Sequence, residues 1–310
     1  MILDGGLSNA LESRGHRLDD DLWTARLLRD APEELAAVHR AYYLAGADVA
    51  TTASYQASVE GYLRAGLDRD QAAALLRRSV TLALEVRDEL AANGHRRLVA
   101  ASVGPYGAVL ADGSEYRGRY GLSATALRDF HGPRLDLLAS AGPDLLAVET
   151  VPDLDEAEVL VHLLDDLGLP AWLSFSVDGS RTRAGQPLAD AFAVVASSAA
   201  VVATGVNCCD PADVLPALET ARAVTGKPGV AYPNTGQGWD SGTHTWSGTA
   251  AFDVTLAPRW VEAGAEYVGG CCRVGPADIA ALARVLATDE SGVSRRSIRA
   301  RQADQEGRRG

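Results

Sequence analysis

The chain has 310 residues, of which 47% are apolar, and 29 basic side chains face 41 acidic ones for a net charge of −12. A chain of this length and composition can bury a large hydrophobic core. The acidic balance argues against a nucleic-acid or anionic-membrane partner, because phosphate recognition needs clustered Lys and Arg, and no stretch approaches the roughly 20 apolar residues of a membrane helix.

Short apolar or β-branched runs alternate along the chain with longer stretches of helical periodicity. Eight runs are interpreted as strands, namely 2–4, 47–54, 98–103, 145–149, 172–177, 201–207, 229–233 and 267–270. The predicted helices are 32–44, 70–92, 123–140, 153–167, 187–197, 211–224, 250–263 and 276–286. In the second of these helices Asp70 is predicted to be the N-terminal cap.

Eight strands, each followed by a helix, are the count of a (β/α)8 barrel. A doubly wound open sheet usually has fewer strands and a glycine-rich phosphate loop, and the sequence contains neither G-x-G-x-x-G nor G-x-x-x-x-G-K-[ST]. We therefore predict an α/β fold with a single (β/α)8 barrel over residues 1–287. From 288 to 310 the chain is almost without apolar residues, which predicts a disordered tail.

Two long segments between these elements, 106–122 and 234–249, are rich in glycine and aromatic residues. Both are predicted to be loops, and excursions of this length usually have a function. In a (β/α)8 barrel the functional side chains lie at the carboxyl ends of the strands. The polar residues predicted at these ends are Asp4, Ser54, Tyr55, Gln56, Ser102, Glu149, Ser176, Asn207, Cys208, Asn234, Cys271 and Cys272.

All four cysteines lie in two adjacent pairs, Cys208-Cys209 and Cys271-Cys272, where a strand-like run ends. The chain starts without the basic and apolar regions of a signal peptide, so we expect a cytoplasmic protein with reduced thiols. Clustered cysteines are then more typical of a metal or catalytic site than of a disulfide.

Three or four thiolates at one rim would form a good zinc site, and a catalytic zinc uses three protein ligands and leaves one position open. Both residues of Cys271-Cys272 can be ligands only if the backbone turns, which the preceding Gly269-Gly270 permits. At Cys208-Cys209 we expect just one of the pair to face inward.

Three other interpretations of the thiols remain open at this point. They could fill space in the core as free cysteines often do, form a disulfide, or include a nucleophile paired with a histidine base. For the last interpretation His244, in a predicted loop at the mouth, is the single candidate base.

Six motifs of this sequence resemble those of the homocysteine S-methyltransferases, most closely the bacterial and plant branch that uses S-methylmethionine. They are Asp4-Gly5-Gly6, Ala53-Ser54-Tyr55-Gln56, Gly104-Pro105-Tyr106-Gly107, Glu149-Thr150, Gly205-Val206-Asn207-Cys208 and Gly269-Gly270-Cys271-Cys272. The resemblance covers residues 1–287. It implies a zinc-dependent (β/α)8 barrel with Zn²⁺ at the C-terminal mouth, held by Cys208, Cys271 and Cys272, and with Cys209 as a bystander.

The resemblance also implies an activity. A methyl group would pass from a sulfonium donor, S-methylmethionine or S-adenosylmethionine, to the zinc-bound thiolate of homocysteine, giving methionine. Both substrates are small molecules, and the oligomeric state is left open.

Roles in substrate binding follow from residue type and position. Glu149, and second to it Asp4, are expected to bind the substrate α-amino group. The backbone N–H groups of Gly5 and Gly6 are expected to approach its carboxylate. Asn207 would orient the zinc loop or contact the amino acid, and Tyr55 would contact substrate. Trp239 or Trp246 would pack near the sulfonium, because a cation is attracted to an aromatic face.

Rival functions use the same residues differently. Betaine or a methylated pterin could be the methyl donor for the same zinc-thiolate chemistry. The barrel could instead bind zinc or a thiol without turnover. The adjacent thiols Cys271 and Cys272 could also form a reversible disulfide that senses redox state.

Overall fold

The computed structural model describes residues 1–18, 24–236, 238–240, 245–247 and 252–288. Its strands are β1 (Val49–Thr51), β2 (Leu98–Val103), β3 (Leu145–Val151), β4 (Ala171–Phe175), β5 (Val177–Asp178), β6 (Arg181–Thr182), β7 (Val201–Asn207), β8 (Gly229–Tyr232), β9 (Gly238–Asp240), β10 (Thr245–Ser247) and β11 (Ala265–Val268). Seven of them form one curled parallel sheet in the order β1-β2-β3-β4-β7-β8-β11. The pairs β5-β6 and β9-β10 are separate antiparallel hairpins.

The N-terminal residues connect the two edges of this sheet. Ile2 forms a parallel bridge with Val268 on β11, and Leu3 forms one with Val49 on β1. The Leu3 N–H donates to the Val268 carbonyl (2.9 Å), and the Val49 N–H donates to the Ile2 carbonyl (3.1 Å). Seven of the eight predicted runs are thus strands of the sheet, and the first run bridges its edges.

Helices alternate with the strands. They are α1 (Leu7–Ser13), α2 (Thr24–Asp30), α3 (Pro32–Ala45), α4 (Val59–Arg64), α5 (Arg69–Glu89), α6 (Tyr106–Leu110), α7 (Ala124–Ala139), α8 (Leu154–Leu167), α9 (Leu188–Ala196), α10 (Pro211–Thr225), α11 (Ala257–Glu262) and α12 (Pro276–Thr288). The predicted helices are confirmed at α3, α5, α7, α8, α9, α10 and α12. The predicted helix 250–263 is shorter, because a 3₁₀ turn at 254–256 precedes α11. The short helices α1, α2 and α4 were not predicted.

The predicted N-terminal cap of α5 is wrong by two residues. The helix begins at Arg69, and the Asp68 side chain accepts a hydrogen bond from the Gln71 N–H (2.8 Å). The Gln71 side chain in turn accepts one from the Asp68 N–H (2.9 Å). This reciprocal capping box satisfies two otherwise unpaired N–H groups, so Asp70 lies inside the first turn.

The segment 106–122 is not simply a loop. It contains α6 and a 3₁₀ turn, Ser114–Tyr116. These two pieces pack closely because Gly107 has no side chain: a Cβ there would lie 2.5 Å from the backbone nitrogen of Glu115. Elements this short give no readable period in the sequence.

Two hydrophobic clusters lie on opposite faces of the sheet. The larger one packs between sheet and helices. The smaller consists of Leu3, Val49, Ala100, Leu145, Ala147, Trp172, Ala203, Val230, Tyr232 and Tyr267. Within it the fully buried Trp172 donates its ring N–H to the Tyr232 hydroxyl (2.9 Å). The space enclosed by the curled sheet is therefore a packed core.

Several predictions fall at or beyond the limits of the described residues. Trp239 and Trp246 are register partners in the β9-β10 hairpin, whereas His244 and residues 289–310 lie outside what the structure describes. The tail expected from residue 288 onward thus stays a prediction. Among the described helices, none is both long and apolar enough to cross a bilayer.

Candidate metal centre and its surroundings

Three thiols converge beyond the carboxyl ends of β7 and β11. The sulfur atoms of Cys208, Cys271 and Cys272 all lie within 4.8 Å of one another, and those of Cys208 and Cys272 are 3.7 Å apart. Cys209 is instead buried in the larger hydrophobic cluster with 1% of its surface exposed. One residue of the first pair and both residues of the second therefore share one site.

The backbone turns sharply at these residues. Cys208 has a φ of +50° and Arg273 one of +67°, conformations that non-glycine residues seldom adopt. The Cys271 N–H donates to the Pro233 carbonyl (2.8 Å), and the Cys272 N–H donates to the side-chain oxygen of Asn234 (3.0 Å). The segment that follows β8 thus holds both cysteines of the second pair.

The two glycines before this pair are required by close packing. A Cβ on Gly269 would lie 2.6 Å from the Cβ of Leu3, and one on Gly270 would lie 2.2 Å from Val274. The sequence had suggested that these glycines supply conformational freedom, but neither has a positive φ. Their absent side chains let the loop fold back against the N-terminal segment.

The three thiols shift one another's pKa. Hydrogen bonds from Cys271, Cys272 and the Tyr116 hydroxyl (3.3 Å) hold the pKa of Cys208 well below its usual value. The hydrogen bonds to Cys208, with burial, raise the pKa of Cys271 and Cys272 well above theirs. Burial raises the pKa of Cys209 well above the usual value, so that residue is a neutral thiol in the core.

The spacing of the Cys208 and Cys272 sulfur atoms fits a zinc ion. Tetrahedral coordination with Zn–S bonds near 2.3 Å places two sulfur ligands about 3.8 Å apart, close to the 3.7 Å between Cys208 and Cys272. Soft sulfur donors favour zinc over magnesium or calcium. Three protein donors are also the number typical of a catalytic zinc.

Glu149 lies at a bulge in β3. Val148 pairs with Leu173 and Val151 with Phe175, so three steps along β3 match two along β4. Bulges of this kind redirect a side chain and are frequent beside active sites. The Glu149 carboxylate accepts a hydrogen bond from the Ser102 hydroxyl, and burial raises its pKa to about 7.

Asn207 holds this bulge in place. Its side-chain oxygen accepts hydrogen bonds from the Thr150 N–H (2.7 Å) and the Ser174 hydroxyl (2.8 Å), and its amide donates to the Thr150 hydroxyl (2.8 Å). Thr150 has a φ of +60°, which is rare for a β-branched residue. The side chain of Asn207 is therefore engaged by β3 and β4, which favours a positioning role over direct contact with substrate.

Asp4 is buried and already bonded. Its two oxygens accept from the N–H (2.8 Å) and the hydroxyl (2.9 Å) of Thr51. Burial raises its pKa to about 8, and the charge of Glu149 contributes to the increase. The two carboxyl groups predicted to bind the amino group are thus close enough to interact.

Gly5 and Gly6 pack against the loop that contains the second cysteine pair. A Cβ on Gly5 would lie 2.3 Å from the Val274 carbonyl oxygen, and one on Gly6 would lie 2.7 Å from that of Cys271. The Gly6 N–H donates to the Val274 carbonyl (2.9 Å), so it is engaged within the protein rather than directed at a ligand carboxylate.

Tyr55 is held beside the thiols by a buried arginine. Arg134 donates to the carbonyls of Gly104 (2.8 Å), Ser54 (2.8 Å) and Tyr55 (2.6 Å), and burial lowers its pKa to about 10. Burial, with the nearby charges of Glu115 and Cys208, raises the pKa of Tyr55 well above its usual value.

Two residues of the site, Glu115 and Tyr116, were not predicted from the sequence. They lie in the 3₁₀ turn of the segment 106–122. The Tyr116 hydroxyl contacts the sulfur of Cys208, and Glu115 is 6% exposed. The only signal in the sequence was the length and composition of the segment as a whole.

Comparison with known proteins gives a consistent result. The family model described as homocysteine S-methyltransferase matches residues 1–286. The chain is 45% identical over 304 residues to homocysteine S-methyltransferase 4 of Zea mays, covering 92% of this chain and 89% of the relative. It is 45% identical over 290 residues to homocysteine S-methyltransferase of Escherichia coli, and the match covers 91% of this chain and 94% of the relative.

Among solved structures, the metallated form of the homocysteine methyltransferase MmuM from Escherichia coli superposes with a TM-score of 0.83 at 43% identity. The match covers 92% of this chain and 96% of that one.

Proposed function

The chain belongs to the homocysteine S-methyltransferase family, and on that premise we propose that it methylates homocysteine from a sulfonium donor to give methionine. The observation that carries the proposal is the convergence of Cys208, Cys271 and Cys272 within 4.8 Å at the carboxyl ends of two strands. Three thiols in this arrangement fit a zinc ion, which would activate the homocysteine thiol for methyl transfer.

We assign Cys208, Cys271 and Cys272 as the ligands of a zinc ion. When bound, zinc would deprotonate a thiol that coordinates to it, whereas a free thiol has a pKa near 8.5. A relative solved in a metallated form, the homocysteine methyltransferase MmuM from Escherichia coli, supports a bound metal. The hydrogen bonds that the Cys271 and Cys272 N–H groups donate to Pro233 and Asn234 hold this backbone in the orientation that the site needs.

The transfer itself is a displacement at carbon. The homocysteine sulfur forms a bond to the methyl carbon while the bond from that carbon to the donor sulfur breaks. The donor departs as a neutral thioether, so its leaving group needs no proton. The residues of the site therefore have to orient two substrates and exclude water, and no general acid is required for the donor.

Glu149 is proposed to bind the α-amino group of homocysteine, with Asp4 as a second anion. Both carboxyl groups are buried, so a cation that arrives between them stabilises their ionised forms. Asn207 fixes the bulge that directs Glu149, and Gly5 and Gly6 allow the cysteine loop to pack. Tyr55 is proposed to contact substrate from its place beside the thiols.

The remaining proposals concern the whole chain. We propose that Ile2-Leu3 closes the curled sheet into the expected (β/α)8 barrel over residues 1–287, with the metal at its C-terminal mouth. The four free cysteines support a reducing compartment such as the cytoplasm.

The decisive experiment measures methionine formation from homocysteine with S-methylmethionine and with S-adenosylmethionine in separate reactions, alongside the zinc content of the protein. We expect turnover with S-methylmethionine and about one zinc per chain. The proposed function would be refuted if neither donor gave methionine, or if metal-free protein turned over at the full rate.

A further inference from the structure

Glu115 is a buried carboxylate with an unused acceptor. It is 6% exposed, and its Oε2 atom is buried without a hydrogen-bond partner among the residues that the structure describes. A buried polar group without a partner costs free energy. Such a group calls for an explanation, and contact with a ligand is one.

Glu115 belongs to a turn that contacts the thiols. The next residue, Tyr116, places its hydroxyl 3.3 Å from the sulfur of Cys208. Both Glu115 and Tyr116 belong to the 3₁₀ turn Ser114–Tyr116, which packs so closely on Gly107 that a Cβ there would lie 2.5 Å from the Glu115 nitrogen. The backbone of this turn therefore fixes Glu115 one residue from the contact between Tyr116 and Cys208.

The other two carboxyl groups of the site are differently placed. Asp4 is bonded through both oxygens to Thr51, and Glu149 accepts from Ser102. Asp4 belongs to the N-terminal segment and Glu149 to β3, whereas Glu115 belongs to the segment 106–122. The site thus draws carboxyl groups from separate segments of the chain, which matches a reaction between two substrates that each carry a cationic group.

We propose that Glu115, with the rings of Tyr55 and Tyr116, forms the binding site for the sulfonium centre of the methyl donor. This proposal rests on the proposed function. During transfer the donor sulfur is separated from the acceptor sulfur only by the methyl group, so the sulfonium has to lie beside the thiol cluster. A carboxylate and two aromatic rings are suited to a cation that cannot donate a hydrogen bond.

The same contact would distinguish substrate from product. S-methylmethionine and methionine share a skeleton with an α-amino and an α-carboxyl group, and they differ by one methyl group and its positive charge. After transfer the donor is a neutral thioether, so its attraction to Glu115 is lost. Substrate is thereby favoured over the product that leaves the donor site.

A comparison of S-methylmethionine with methionine therefore tests the role of Glu115. We compare Glu115→Gln with the wild-type enzyme by measuring the KM of S-methylmethionine at saturating homocysteine, and the Ki of methionine as an inhibitor competitive with S-methylmethionine. The variant is expected to raise the KM of S-methylmethionine by at least about tenfold. The Ki of methionine, the KM of homocysteine and the zinc content should change by less than about twofold.

Two further variants serve as controls. Glu115→Asp keeps the charge and should recover much of the affinity for S-methylmethionine. Asp112→Asn removes the same charge from an exposed residue of the same segment while keeping the oxygen that accepts from the Ser114 N–H (2.9 Å), and it should leave the KM of S-methylmethionine unchanged.

The outcomes separate the two proposals. Active wild-type enzyme with an unchanged KM of S-methylmethionine in Glu115→Gln would overturn the assignment of Glu115 alone. Equal weakening of S-methylmethionine and methionine would also overturn it, because the contact would then not be with the sulfonium. A wild-type enzyme without turnover on any sulfonium donor would overturn the proposed function as well.

Discussion

Three residues around the thiols have backbone conformations that cost free energy. Thr150, Cys208 and Arg273 all have a positive φ, and such non-glycine conformations cost about 1–3 kcal/mol each. The three hydrogen bonds of the Asn207 side chain with Thr150 and Ser174 stabilise the conformation of Thr150. The turn at Cys208 directs its sulfur to the cluster while Cys209 enters the core, so the strain separates the roles of two adjacent cysteines.

Replacement of Cys272 by alanine tests that separation. Even a partner that only supports a metal ligand contributes about 10- to 100-fold in metal affinity, so loss of one of the three sulfur atoms should lower zinc affinity by at least about a hundredfold. Methionine formation should fall with it. The measurement is zinc content after dialysis against a weak chelator, paired with turnover.

The matched control is Cys209→Ala, which removes the adjacent thiol from the hydrophobic core. Zinc content and turnover should be those of the wild type, and stability should fall by only about 1 kcal/mol. If Cys209→Ala lost zinc while Cys272→Ala retained it, the ligand assignment would be wrong.

The sequence predicted part of the site because residue type and position coincide there. Cysteines at two strand ends predicted the cluster, and a glutamate that closes an apolar run predicted Glu149. Glu115 could not be found in this way. Its burial arises from the packing of the 3₁₀ turn against Gly107, a contact between short elements that leaves no periodic pattern.

At the scale of the elements, the long helices could be predicted and the short ones could not. Helices such as α5 and α8 extend over 21 and 14 residues, enough to repeat an apolar period several times. The helices α1 and α4 have 7 and 6 residues, which is less than two full turns. Their apolar residues are therefore indistinguishable from those of a loop.

The capping box of α5 provides a prediction at this scale. Replacing Asp68 by alanine removes the acceptor of the Gln71 N–H and should lower stability by about 1 kcal/mol. Asp70→Ala is the matched control, because that residue affects only the helix dipole and should cost a few tenths of a kcal/mol. Urea unfolding measures both, and turnover below the unfolding range should be unchanged. Equal losses from the two variants would contradict the assignment of Asp68 as the cap.

At the scale of the whole molecule, the cluster joins two strands that are not neighbours. Cys208 follows β7 and the second pair follows β11, with β8 between them. The order of these strands is set by ladder hydrogen bonds and by loop contacts such as Asn234 N–H to the Cys209 carbonyl (3.0 Å). The eight-fold repeat in the sequence indicated this arrangement, although the bridging of the sheet edges by only two residues could not be read from it.

Because the protein itself holds the strand ends together, removal of the metal is expected to abolish turnover without unfolding the chain. A ligand present at 100 times its Kd stabilises a folded protein by about 2.7 kcal/mol, and for a chain of this size that corresponds to a Tm decrease of several degrees on metal removal. Chelator-treated protein should therefore keep its far-UV circular dichroism, unfold at a lower Tm, and recover methionine formation when zinc is restored. In Cys272→Ala the addition of zinc should leave the Tm unchanged. Loss of secondary structure with the metal would instead identify a structural zinc site of the kind that folds its domain, and the thiols would then have no place in the chemistry.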